Sequence, residues 1–136
     1  MKAWTPGAGD RPRKVAARVH RGRCADQAGR AAEDSVAARY LEFGYTLAHR
    51  RWRGQSGEVD LILRGPDGIV FVEVKRGRDF DRALDSLGPR QIDRICRATE
   101  EFVAGEPDGM LTDVRFDVGL VDGTGQVRIL ENALAA

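Results

Sequence analysis

Lysine is scarce in this chain. The basic residues number 22, yet only Lys2, Lys14 and Lys75 are lysines, and after residue 14 Lys75 stands alone among arginines. Cysteine is as rare: Cys24 and Cys96 lie far apart, one in a basic stretch and one at an apolar helical position. That excludes a disulfide framework and the paired-cysteine spacing of zinc sites. His20 and Cys24 have the spacing of a shared helix face, but two ligands make no structural zinc site. No Gly-rich phosphate loop, serine–histidine–acid arrangement or internal repeat is present. No apolar run approaches the roughly 20 residues needed to span a bilayer, and the stretch from Met1 to Asp10 lacks the apolar segment of a secretory signal. The expectation is a cytoplasmic protein with no membrane partner.

What is present is one domain's worth of ordinary globular sequence, 136 residues with 42% apolar and 32% charged content, long enough to bury a real core. The net charge of +1 hides an asymmetry. Residues 1–28 carry seven basic side chains against two acidic ones, and the remainder fifteen against nineteen. This divides the chain into a basic, flexible arm over 1–28 and an α/β domain over 29–136. A basic arm on an acidic domain is the footprint of phosphate-backbone contact; its Gly, Pro and Arg content equally suits a solvated leader.

The domain is organised around Gly57 to Arg76. Glu58 to Leu63 and Ile69 to Lys75 are β-branched and apolar runs of strand length, separated by the turn residues Gly65-Pro66-Asp67-Gly68. A loop of two or four residues sets one register, which opposes Asp60 to Glu73 and Glu58 to Lys75. Opposed side chains lie roughly 4.5 to 5.5 Å apart, so two carboxylates there call for a cation. Glu73 and Lys75 share one face, and Val70, Val72 and Val74 the other. Magnesium typically takes one or two carboxylates, several waters and substrate phosphate, so two carboxylates beside a lysine suit metal-assisted attack of water on a phosphodiester. The same residues also suit the solvated face of a hairpin, with Glu58 and Lys75 as a cross-strand ion pair. The scarcity of lysine favours the chemical reading, because Lys75 is a compact, titratable charge where arginine is the default base.

The flanking segments complete an α/β pattern. Residues 26 to 43 have helical spacing in Ala32, Val36, Ala37, Tyr40 and Leu41, with Glu33 on the packed side. Tyr45 to Arg53 reads as a strand, and its Arg50, Arg51 and Arg53 beside Trp52 suit phosphate tracking or a charged sheet edge. Arg76 to Gly88 has no clean period and reads as a loop carrying Arg76, Arg78 and Arg82. Pro89 opens a helix to about Ala104, with Ile92, Ile95, Cys96, Thr99, Phe102 and Val103 buried. Asp113 to Leu120 alternates, with Val114, Phe116, Val118 and Leu120 inward and Arg115 and Asp117 outward, and Gln126 to Glu131 is a last strand.

Glu33 on a helix, Asp60, then Glu73-Val74-Lys75 ending a strand together resemble the PD-(D/E)-x-K nuclease superfamily. Within it, GEVDLI and FVEVK, with Gly29, Arg90-Gln91 and Arg115-Phe116-Asp117-Val118, are similar to the YraN family of endonuclease-like bacterial proteins, over about Gly29 to Asn132. The resemblance implies a restriction-endonuclease-like or Holliday-junction-resolvase-like fold, a mixed β-sheet flanked by helices. It implies a Mg²⁺ (or Mn²⁺) cofactor held by Asp60 and Glu73, with Glu33 as an accessory metal contact, and Asp60, Glu73, Lys75 and Glu33 as the catalytic set. Glu58 and Gln91 become polar helpers, and Arg50, Arg51, Arg53, Arg76 and Arg78 the nucleic-acid contacts. It further implies DNA, of branched or otherwise structured form, as the partner, and a homodimer. Two departures stand out: Val59 replaces the superfamily's proline before Asp60, and Ala32 stands where many relatives have glycine. The expected function is a metal-dependent endonuclease; the alternative is a non-catalytic nucleic-acid-binding module that retains the site's outline.

Overall fold

A computed structural model describes residues 15–133, with side chains from residue 26 onward. The element order is α1 (Val15–Glu42), β1 (Thr46–Arg53), β2 (Glu58–Gly65), β3 (Gly68–Arg76), α2 (Phe80–Asp85), α3 (Pro89–Ala104), a 3-10 turn (Gly109–Leu111), β4 (Val114–Val121) and β5 (Val127–Leu130). The strands form one sheet in the order β1-β2-β3-β4-β5. It is mixed: β3 and β4 run parallel and the other neighbours antiparallel. This is the expected α/β architecture, consistent with a restriction-endonuclease-like fold. Among the described residues no helix is long and apolar enough to cross a membrane.

Helix α1 starts at Val15, well before the expected boundary near Asp26. Ala16, Ala17 and Arg18 are good helix formers, and no proline follows Pro12 to stop them. The expected flexible arm therefore overlaps helical backbone from Val15 on; its residues 1–14, and the side chains of His20 and Cys24, lie outside the described residues. The helix ends at Gly44, whose φ of 88° suits glycine. Leu41, placed on the packed stripe by its spacing, is 50% exposed, whereas its neighbour Tyr40 takes the buried position in that last turn.

The sheet sandwiches its core between α1 and the pair α2 and α3. Ala32, Val36, Ala37 and Tyr40 pack on Leu61, Leu63, Val70 and Val72. On the opposite face Ala98 and Val103 of α3 pack on Val59, Ile62, Ile69 and Phe71, and Ala83 of α2 on Val118 and Leu120. Each buried Val, Leu, Ile or Phe among them contributes roughly 1.5–3 kcal/mol of transfer free energy, and each alanine less. Gly119 lets α1 approach β4 closely, since a Cβ there would meet Val36 Cγ1 at 2.7 Å. The segment after Arg76 is not an unstructured loop: Asp79 accepts a hydrogen bond from Arg82 N and caps α2, a helix too short for periodicity to reveal.

The outward placement of Asp117 and Arg115 is also corrected. From Asp117 onward both faces of β4 are covered and Asp117 is fully buried, whereas Val114, expected inward, is 42% exposed at the start of the strand. It accepts hydrogen bonds from the Tyr40 hydroxyl, from Arg115 Nε and a terminal guanidinium nitrogen at 2.9 Å each, and from Asn132 N at 2.9 Å. Burial, then Asp117, raises the Tyr40 pKa far above its ordinary value. A buried carboxylate held by four donors is a tie between α1, β4 and the C-terminal turn.

Candidate active site

The β2–β3 hairpin has the expected register. Gly65 pairs with Gly68, Ile62 with Phe71 and Leu61 with Val72, around a two-residue Pro66-Asp67 turn. Gly68 adopts a φ of 138°, and a Cβ there would lie 2.3 Å from Asp113 O, so the turn and the start of β4 both require glycine. The ladder stops at Leu61, one position short of the carboxylates. Beyond it the Asp60 side chain takes the place of a backbone partner: its Oδ2 accepts from Val74 N at 2.8 Å.

A matching irregularity lies on the other side of β2. The β1–β2 ladder pairs Arg50 with Leu61 and Trp52 with Val59, leaving Arg51 and Asp60 between them outside it. Val59 and Ile62 both pack toward α3, while Leu61 and Leu63 pack toward α1, so the alternation of β2 breaks at Asp60. Arg51 has a φ of 50°, a conformation that costs a non-glycine residue on the order of 1 kcal/mol. The break frees Asp60 to turn its carboxylate toward β3.

Asp60 and Glu73 then meet in a pocket of about 170 Å³, which Lys75, Arg76, Glu33 and Gln91 help to line. Glu73 is 4% exposed. Gln91, at the start of α3, donates from Nε2 to Glu73 Oε2, and Lys75 Nζ stands 3.7 Å from the same oxygen. Burial, then a hydrogen bond and charge repulsion from Asp60, push the Glu73 pKa up to about 9, against a smaller opposing pull from Lys75. Glu73 therefore keeps its proton at neutral pH in the metal-free fold, and a divalent cation held by the two side chains would displace it. The donor set, two hard carboxylate oxygens beside an amine, fits Mg²⁺ or Mn²⁺.

Glu33 borders this pocket on α1 and is 6% exposed, but its partners are arginines. Arg51 Nε reaches its two oxygens at 3.0 and 3.3 Å, and a terminal nitrogen of Arg50 lies 3.4 Å from Oε1. Arg51 also bonds Asp26, and Arg50 bonds Asp34. Among the described residues no group of three or more His, Cys, Asp or Glu side chains is arranged to hold a metal, so Glu33 does not cluster with Asp60 and Glu73. Glu58 pairs at 3.1 Å with Arg53, its partner on β1, in place of the cross-strand Glu58–Lys75 ion pair that the solvated-face alternative offered. Arg76 lines the pocket, and Arg78 is exposed beyond it.

Sequence reasoning missed Glu101. From α3 it accepts Gln55 N and Ser56 N at 2.8 Å each, pinning the loop that leads into Glu58 and Asp60. A glutamate on the exposed side of a helix carries no signal for that role.

The model of the uncharacterised protein family UPF0102 matches residues 32–121, a span that includes Asp60, Glu73 and Lys75. A UPF0102 protein of Ruegeria pomeroyi is 60% identical over 106 residues, covering 78% of this chain and 86% of that protein. One of Roseobacter denitrificans is 56% identical over 119 residues, with 88% and 92% covered, and one of Dinoroseobacter shibae 43% over 116 residues, with 85% and 87% covered. The chain thus belongs to the UPF0102 family, the nuclease-like YraN group whose motifs its own hairpin resembles.

Proposed function

We propose that this protein is a metal-dependent endonuclease-like enzyme that hydrolyses phosphodiesters in DNA, with structured DNA as the preferred form. The observation that carries the reading is the Asp60–Glu73 pair, set in one pocket with Lys75 and tied down by Val74 N and Gln91. A divalent cation held by Asp60 and Glu73 would supply charge neutralisation at the phosphate and an acidified water. Asp60 has one oxygen committed to Val74 N, which fixes the direction of the other. Gln91 fixes the Glu73 rotamer. Lys75, half-buried and 3.7 Å from Glu73, would hold the attacking water and donate to the phosphoryl oxygen as charge develops. Arg76 and Arg78 continue from β3 past the pocket, where they would meet the backbone of the strand being cut.

A second reading, a nucleic-acid-binding module without turnover, is favoured by a specific observation: Glu33 is committed to Arg50 and Arg51, which leaves two carboxylates for a metal. Labelled single-stranded, duplex, flapped and four-way-junction DNAs incubated with Mg²⁺ or Mn²⁺ decide between them. Metal-dependent cutting that is lost in Asp60→Ala and Lys75→Ala is the expected result. DNA binding that survives both substitutions, with no cutting under either metal, would replace the enzyme by the binding module.

A further inference from the structure

We infer that Arg50 and Arg51 form a substrate-sensing clamp, which holds the Glu33 carboxylate away from Asp60 and Glu73 in the free protein and releases it when a substrate phosphodiester takes the two guanidinium groups. The inference rests on the proposed nuclease-like reading of the same pocket. Glu33 is a buried carboxylate that lines the Asp60–Glu73 pocket and yet spends its oxygens on β1. The arginines that occupy it are accessible, with side chains 37% and 34% exposed for Arg50 and Arg51. Guanidinium recognises phosphate and carboxylate through the same planar fork, so a phosphodiester is a direct competitor for Glu33's partners.

The backbone adds to the argument. Arg51 sits in a left-handed conformation where the β1–β2 ladder skips Arg51 and Asp60 without a change of register, and its side chain reaches Glu33 on α1 from a strand position opposite Asp60. Once Arg50 and Arg51 turn to a phosphate, Glu33 is left buried without a cation. A divalent cation held by Asp60 and Glu73 in the same pocket would offer a positive charge to replace them, so Glu33 would become a third carboxylate there. Substrate and metal then strengthen each other's binding, as linkage requires.

The test is Mn²⁺ binding to the full chain, followed by calorimetry. Without DNA, Arg51→Gln is expected to bind Mn²⁺ about five- to tenfold more tightly than wild type, and the gain should vanish in the Arg51→Gln/Glu33→Gln double variant. A phosphorothioate-linked DNA duplex should tighten Mn²⁺ binding to wild type by a similar factor and leave Arg51→Gln unchanged. Arg50→Gln serves as the second variant if thermal unfolding shows Arg51→Gln to be misfolded. Unchanged or weaker Mn²⁺ binding in the folded arginine variant, with binding lost in Asp60→Ala, would overturn the clamp and leave the metal site standing. Binding that is indifferent to Asp60→Ala would overturn the site itself and the clamp with it.

Discussion

At the scale of single residues, the proton on Glu73 has a thermodynamic signature. The folded carboxyl titrates near 9 and an ordinary glutamate near 4.5, so below the lower value both states hold the proton and the contribution is complete. As pH rises between the two values the unfolded chain gives up the proton and the fold keeps it, so stability falls toward pH 9. Glu73→Gln mimics the protonated form and keeps an acceptor for Gln91. In metal-free buffer at pH 8 it is expected to be more stable than wild type, on the order of 2 kcal/mol by urea unfolding, and to lose most of the pH dependence; a less stable variant would contradict a protonated Glu73 in the fold. Asp117→Ala is expected to cost about 3 kcal/mol, because it strips the partner from Arg115 and the acceptor from Tyr40. Asp117 was not legible as a core residue. Alternation assigns one face of an antiparallel strand to solvent, whereas β4 is covered on both sides, and its partner Tyr40 lies on the first helix.

Among the elements, the hairpin was the most readable part, since turn residues and the valine face of β3 fix its register with no tertiary information. Glu73 and Lys75 sharing a face, and Gln91 leaning toward them, followed from periodicity and from the family motifs. The irregularity at Arg51 and Asp60 was hidden: no residue there favours a positive φ, and the partners of the Arg51 side chain, Glu33 and Asp26, lie on a different element. The short α2 was hidden for the opposite reason, that six residues hold less than two periods of a helix. The approach of α1 to β4 can be checked directly. Gly119→Ala places a methyl against Val36 and is expected to cost about 1–3 kcal/mol in thermal or urea unfolding, while Gly119→Ala/Val36→Ala should recover part of the loss. On α3, Glu101→Ala releases Gln55 N and Ser56 N, and amide exchange of those two residues should accelerate by well over tenfold with little change in α3 itself.

For the whole molecule, a ligand that binds only the folded state raises its stability. Mn²⁺ at a hundredfold excess over its Kd should add about 2.7 kcal/mol to unfolding, with the gain absent in Asp60→Ala; at one fixed Mn²⁺ concentration the gain should grow from pH 6 to pH 8 as the cation competes less with the Glu73 proton. Family membership speaks for the architecture and leaves the reaction to such measurements. The sheet also has an order of assembly written into its connections. α1 and β1 to β3 follow one another through short links, whereas the parallel partner of β3 arrives only after the crossover from residue 77 to 113. Closing that long segment comes at a chain-entropy cost that local hairpins avoid. The helix and three strands that carry Glu33, Asp60, Glu73 and Lys75 are therefore expected to gather in the folding transition state, with β4 docking on the downhill side. Substitutions such as Asp117→Ala would then speed unfolding and leave the refolding rate nearly untouched, so the half of the chain that bears the chemistry is assembled before the half that locks it.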